Sequence, residues 1–244
     1  MAEPHIILYD LKLFQTSGLP WSPHTCKTRY ALNYKGIPYK TVWLTFPEVH
    51  TEIPKITKSD APPTVPVIVD VLHDNKVVQD SWEIAKYLDE TYPDTPKLFN
   101  NDIGAQMFLY NYCTKKPLFP IFRLVLPAML ERSGDMRDWF VTTRETFFKT
   151  SIDNIIGDSD EQKKALTELL EPIGAILKEY PYLNGEQIAW ADIMLAAYLN
   201  FFYTLQPDMF DTFVLKDDKA GKEFSEWWGR MEKYMKLEPP SPST

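Results

Sequence analysis

The stretch Leu19-Pro20-Trp21-Ser22-Pro23-His24-Thr25-Cys26-Lys27-Thr28-Arg29-Tyr30 decides how this chain is read. It follows a short apolar run, Ile6-Ile7-Leu8-Tyr9, that reads as a strand. Ser22 falls at an N-cap position, Pro23 at the first helical position and Gly36 at the stop, which predicts a helix from Ser22 to about Lys35. A helix N-terminus presents unpaired N–H groups and the positive end of the helix dipole. A hydroxyl held there has two uses. It caps its own helix, or it donates to an anion such as a thiolate. Taken alone, the stretch favours the cap.

Composition narrows the field. The 244 residues are 44% hydrophobic and 25% charged, the balance of a folded globular chain of one large or two ordinary domains. The net charge of -8 argues against nucleic acid as a partner, because phosphate binding needs a basic face. Cys26 and Cys113 form no CxxC and no metal-type spacing, so a reducing, cytoplasmic setting and no metal are expected. The N-terminus has no basic region followed by an apolar run, and no stretch reads as a membrane span. The closest stretch, Leu118 to Leu130, is interrupted by Pro120, Arg123 and Pro127.

The first part of the chain alternates strand and helix signals. Strands are expected at His5–Tyr9 and Tyr39–Leu44, and Pro47–Lys55 reads as a weak helix or loop. The apolar run Val67-Ile68-Val69-Asp70-Val71, a turn at His73-Asp74-Asn75 and Val77-Val78-Gln79 predict a hairpin. A helix opens at Asp80-Ser81-Trp82-Glu83 with capping-box spacing and stops at Pro93. The order is βαβ-x-ββα, a small mixed sheet with helices against it. Pro93-Asp94-Thr95-Pro96 reads as a linker, which sets the first domain at 1–93.

The following domain, 103–236, reads as all helical. Its predicted helices are Ile103–Leu130 with breaks at its prolines, Asp135–Ile155, one starting at Asp158 with a kink at Pro172, Trp190–Leu205, and about Lys219–Tyr234. Residues 237–244 read as a flexible tail.

Three features of the first domain carry chemistry. Val65-Pro66 opens a strand, and a cis peptide there would turn the backbone and offer the Val65 N–H and C=O to an extended ligand. Asp80-Ser81 begins a helix, so its hydroxyl and amides suit a carboxylate while Asp80 suits an ammonium. Ser22 begins the first helix. In a βαβ-x-ββα order all three can share one sheet edge, as a cleft for a small peptide.

With Trp21-Ser22-Pro23, Val65-Pro66 and Asp80-Ser81 in place, followed by a helical half, the chain resembles the cytosolic glutathione transferases over essentially its whole length. The segment Lys27-Thr28-Arg29-Tyr30-Ala31-Leu32-Asn33-Tyr34-Lys35-Gly36-Ile37-Pro38-Tyr39-Lys40 is similar to the etherase-like, serine-type transferases of wood-decaying basidiomycete fungi. The resemblance implies an α+β fold: a thioredoxin-like glutathione-binding domain followed by an all-helical domain that contributes a hydrophobic substrate pocket. It also implies glutathione as co-substrate and a homodimer.

The implied roles are specific. Ser22 donates to the glutathione thiolate, with Ser17, in the same loop, as runner-up. Val65 and a cis Pro66 hold the cysteinyl backbone. Ser81 holds the γ-glutamyl carboxylate and Asp80 its ammonium side. His50 and Lys55 stand for the glycyl carboxylate. Trp21, Tyr110, Phe119 and Phe122 stand for the aromatic pocket, although most aromatics at helical spacing, Phe201 included, read as core. Gly185 and Asp192 match a turn-and-cap motif whose usual hydroxyl position is Ala189, a departure that leaves the cap to Asp192. Cys26 reads as a buried small residue, and Tyr9 as packed. The activity implied is transfer of glutathione to lignin-derived or polyphenolic aromatics, or cleavage of their ethers. The alternative is a carrier that binds such ligands without turnover.

Overall fold

The computed structural model describes residues 3–16, 18–100 and 102–237. Ser17 and the tail 238–244 lie outside the described residues. The chain forms two compact units. The first takes the residues up to Ile103 together with Ile188–Ala197 and the segment from Arg230 onward. The second takes Gly104–Gln187 and Tyr198–Gly229.

The first unit runs β1 (Ile6–Leu11), α1 (Pro23–Lys35), β2 (Tyr39–Leu44), α2 (Phe46–Thr57), β3 (Val67–Asp70), β4 (Lys76–Gln79) and α3 (Ser81–Thr91). Its four-stranded sheet has the order β2-β1-β3-β4. The crossover through α1 makes β2 parallel to β1, whereas β3 is antiparallel to both β1 and β4. The hairpin turn places Asp74 and Asn75 at φ 53° and 55°, a backbone that short polar side chains tolerate. Every residue of β3 is buried, so the sheet is covered on both faces there.

The segment expected as a weak helix or loop is a full helix, α2. Thr45 caps it: the Thr45 hydroxyl accepts from the Glu48 amide at 3.4 Å, and the Glu48 carboxylate accepts from the Thr45 amide at 2.7 Å. Two end amides are satisfied at once, which outweighs the prolines near either end. The Thr45-x-x-Glu48 spacing is the signal that identifies it.

The C-terminal segment returns to this unit. The Asn33 amide donates to the carbonyls of Tyr234 and Lys236 at 2.7 and 2.8 Å. The Leu237 carbonyl accepts from Arg29 and from the Tyr39 hydroxyl, both at 2.7 Å. Leu237, assigned by sequence to the loose tail, is therefore tied into α1 and β2. Beneath it Arg29 makes a 2.7 Å ion pair with Asp10, and both side chains are fully buried.

The remaining helices are α4 (Ile103–Lys115), α5 (Leu118–Arg132), α6 (Arg137–Phe148), α7 (Ile152–Ile156), α8 (Ser159–Glu179), α9 (Trp190–Leu205), α10 (Pro207–Phe210) and α11 (Gly221–Met231). The long pattern from Ile103 breaks between α4 and α5, while α5 runs on through Pro127. Pro120 sits in the first turn of α5, where a missing N–H costs nothing. The single helix expected over Asp135–Ile155 is instead two, because Lys149 turns left-handed at φ 56° and Ser151 caps α7. α8 runs unbroken through Pro172. α10 and a π-helical turn at Asp211–Leu215 were not legible in the periodicity.

Candidate functional site

The sheet register aligns the ends that matter. Tyr9 of β1 pairs with Val67 of β3, and Val67 pairs with Gln79 of β4. From that row the chain leaves β1 toward Ser22, enters β3 from Val65-Pro66 and leaves β4 into Asp80-Ser81. The Trp21 indole N–H donates to the Leu11 carbonyl at 2.8 Å, which pins the loop before Ser22 to the end of β1. The three sequence features thus lie at one end of one sheet.

α1 and α3 start there side by side. Both follow strands antiparallel to β3, so the two strands point the same way and the two helices run back in parallel. They pack against each other. An ion pair between Lys35 and Asp89, at 2.8 Å, joins their C-terminal ends. Two helix N-termini with their dipoles in parallel make a favourable place for negative charge.

Ser22 occupies the N-cap of α1 with φ -64° and ψ 124°, but its side chain makes no cap hydrogen bond. Among the described residues its hydroxyl is uncommitted, although the residue is only 4% exposed. Ser81 is similar: buried at 3% exposure, and its end of α3 is capped by Asp80 instead. The Asp80 carboxylate accepts from the amides of Trp82 and Glu83 at 2.8 and 3.3 Å. Glu83 turns to Lys86, at 2.8 Å, in place of a reciprocal capping box.

The Val65-Pro66 peptide is cis. Val65 is half-buried and its loop is held from β4: the Gln79 side-chain amide donates to the Thr64 carbonyl at 3.1 Å and the Thr64 hydroxyl at 2.9 Å. Gln79 is a supporting residue to which sequence reasoning gave no role. Its place directly before Asp80 was the available signal.

Lys27 is a second such residue. It lies one turn into α1 and is 1% exposed. Burial pulls its ammonium down to about 8, and the field of Asp80 acts in the opposite direction. A lysine inside a helix that is buried almost throughout is the sequence-level sign, visible only once the burial is known.

The other expected residues scatter. His50 and Lys55 are exposed on α2, and Lys55 pairs with Glu52 at 2.7 Å. Trp21, named with Tyr110, Phe119 and Phe122 for the aromatic pocket, is 3% exposed, packs near Phe46 with ring centroids 6.2 Å apart, and donates its N–H to Leu11. Within the second unit Tyr110 is half-buried on α4. Phe119 and Phe122 meet Phe148 at centroid distances of 6.2 and 5.7 Å, and Arg123 lies over the Phe119 ring at 4.8 Å. Phe201 is core at 3% exposure. The Ala189 amide, at the departed cap position, donates to the Asp192 carboxylate at 3.1 Å. Both cysteines are buried, and burial pushes the Cys113 thiol up to about 12. No metal-binding cluster of His, Cys, Asp and Glu occurs among the described residues.

A thioredoxin-like unit with a mixed sheet and a cis-proline loop beside two helix N-termini, followed by helices, is the glutathione transferase fold. The family model for the glutathione S-transferase N-terminal domain matches residues 21–91, and that for the C-terminal domain matches residues 105–236. The chain belongs to the glutathione S-transferase family, whose members use glutathione as co-substrate.

Among solved structures it is similar to the glutathione transferase GSTFuA3 of Phanerochaete chrysosporium, with TM-score 0.81 and 29% identity over 95% of this chain and 97% of that one. It is also similar to a glutathione S-transferase of Ceriporiopsis subvermispora in complex with glutathione, with TM-score 0.78 and 25% identity over 96% and 99% of the two chains. The glutathione S-transferase-like protein ustS of Aspergillus flavus is 26% identical over 91% of this chain and 88% of that protein.

Proposed function

We propose that this chain is a serine-type glutathione transferase that attacks aromatic electrophiles or aryl ethers of lignin-derived or polyphenolic origin. The observation that carries the reading is the Ser22 hydroxyl at the start of α1, which makes no cap hydrogen bond, at the sheet end shared with Val65-Pro66 and Asp80-Ser81. The glutathione complex of the Ceriporiopsis protein supports the choice of tripeptide. The similarity to the Phanerochaete glutathione transferase supports the transferase reading.

In this reading Ser81, through its hydroxyl and its own amide, holds the γ-glutamyl carboxylate, and Asp80 takes the ammonium. The Val65 backbone pairs with the cysteinyl residue, and the thiol comes to Ser22. His50 and Lys55, both exposed on α2, are the candidates for the glycyl carboxylate. Tyr110, Phe119 and Phe122 are the aromatic residues assigned to the co-substrate. The protein is cytoplasmic and homodimeric, as is usual for the family it resembles.

A free thiol has a pKa of about 8.5 and is mostly protonated at neutral pH. A hydroxyl donor and a helix dipole both favour the anion and lower that value. The thiolate forms a C–S bond to the electrophilic carbon. With an aryl halide or ether, the halide or aryloxide leaves with the electron pair of the broken bond; with an isothiocyanate, the C=N π electron pair moves to nitrogen, which takes up a proton from solvent.

The test is turnover of a chlorinated aromatic or an isothiocyanate with glutathione. Ser22→Ala is expected to lower kcat/KM by about ten- to a hundredfold, the equivalent of one to two pKa units on the thiol. A wild type that binds hydroxylated aromatics but turns over neither electrophile would make the protein a carrier instead.

A further inference from the structure

α5 and the end of α6 bring phenylalanines together in the second unit. Phe119 and Phe122 of α5 meet Phe148 of α6, and Phe147 stands edge-on to Phe148 with centroids 5.0 Å apart. The cluster is open: Phe147 is 77% and Phe119 41% exposed. Large rings exposed side by side mark a surface that binds something. A cation lies across it. The Arg123 guanidinium stacks over the Phe119 ring at 4.8 Å, one turn further along α5. Its Nη2 donates to the Asn154 carbonyl of α7 at 3.3 Å, at the surface. Its Nε is buried without a hydrogen-bond partner. A Cβ at Gly157 would come within 3.2 Å of Nη1, so the glycine leaves the guanidinium its room.

No carboxylate answers this charge among the described residues. The acids on the neighbouring elements have other partners or face solvent. Glu145 accepts from the Ile152 amide and Asp158 from the Glu161 amide, both at 2.8 Å, and Asp153 is exposed. A clamp on the end of α7 accounts for the Asn154 bond, but not for the open rings or the partnerless Nε. An anion on the Nη groups would offset the cost of a half-buried guanidinium without a counter-ion. The inference rests on the assignment of Phe119 and Phe122 to the aromatic co-substrate. We propose that Arg123 is a specificity-determining residue of that pocket, which pairs with an acidic group on the ring and so selects aromatic acids over neutral aromatics. The planar guanidinium suits a carboxylate, and the ligand ring lies on the phenylalanines.

The probes are 4-chloro-3-nitrobenzoate and its neutral counterpart 4-chloro-3-nitrobenzamide, which share shape and leaving group. Calorimetry without glutathione gives Kd for each with wild type, Arg123→Lys, Arg123→Met and Arg123→Gln, so that loss of solubility in one neutral variant leaves the other. The wild type should bind the benzoate about tenfold more tightly than the benzamide. In both neutral variants that preference should disappear, and Arg123→Lys, charged but without the planar fork, should fall between. A clamp on α7 alone would weaken both ligands together. Equal binding by the wild type, or a preference unchanged in both neutral variants, overturns the proposal. Turnover with glutathione is read separately: the thiolate forms a C–S bond at the chlorine-bearing carbon, and chloride leaves with the electron pair. Turnover of either probe keeps the transferase reading even where the preference fails. Turnover of neither overturns that reading, and this proposal with it.

Discussion

The Asp80 amide donates to the Pro66 carbonyl over 3.3 Å, one step beyond the Val67–Gln79 pair that ends the β3–β4 register. Two parts of the candidate site, separate in sequence, are therefore consecutive rungs of one ladder. The hairpin thus joins the residue before β3 to the start of α3. Gln79, reaching to Thr64, repeats the tie with a side chain.

Asp80 combines a structural and a ligand role, and two substitutions separate them. Its carboxylate caps α3, while its φ of 78° with ψ 132° lies outside the left-handed helical region and is uncommon for any residue with a side chain. Asp80→Asn is expected to keep stability within about 0.5 kcal/mol while weakening glutathione binding. Asp80→Ala is expected to cost a further 1–2 kcal/mol or roughly that, from the lost cap. Urea unfolding and calorimetric titration of both variants check the split.

Ser22 should show the opposite pattern. An N-cap hydroxyl usually contributes about 1 kcal/mol, but here its cap bond is absent. Ser22→Ala should therefore leave the unfolding midpoint almost unchanged while raising the pKa of bound glutathione. The thiolate's ultraviolet absorbance, followed against pH, reads the second quantity.

The buried Asp10–Arg29 pair makes a strong demand on the fold. Arg29→Met strands a buried carboxylate and is expected to cost about 3–5 kcal/mol. Removing the chain after Lys233 takes away the carbonyls that Arg29, Asn33 and Tyr39 bind, at about 1–3 kcal/mol for each buried group left unpaired. Denaturant curves on the truncated chain would show it. A truncation as stable as the full chain would mean that the segment is only draped on the unit.

Asp70 supplies a pH dependence. Burial alone would raise its pKa, but hydrogen bonds from Tyr92, His73, Tyr87 and the Leu72 amide outweigh this and hold it below the ordinary carboxylate value. Because the folded pKa is the lower one, the stabilisation is complete above about pH 4 and fades as pH falls through the folded value. Asp70→Asn should flatten the acid limb of the stability curve. Asp70 pairs with Ile6, at the start of β1 and away from the Ser22 end, so turnover near neutral pH should change little.

What the sequence determined by itself was local. Strand β2 and helix α9 have the limits that periodicity implied, and Ser22, Asp80 and Asp158 stand at helix starts, because such signals sit within about four residues of where they act. The mixed sheet followed from strand and helix order. Whether the Ser22 hydroxyl was spent on its own helix could be decided only by the folded backbone. So could the burial of Trp21 and of Lys27, and the hold of Arg29 on Leu237. Each depends on pairings between residues far apart in the chain, set by sheet register and by the parallel run of α1 and α3, and no short-range pattern encodes them.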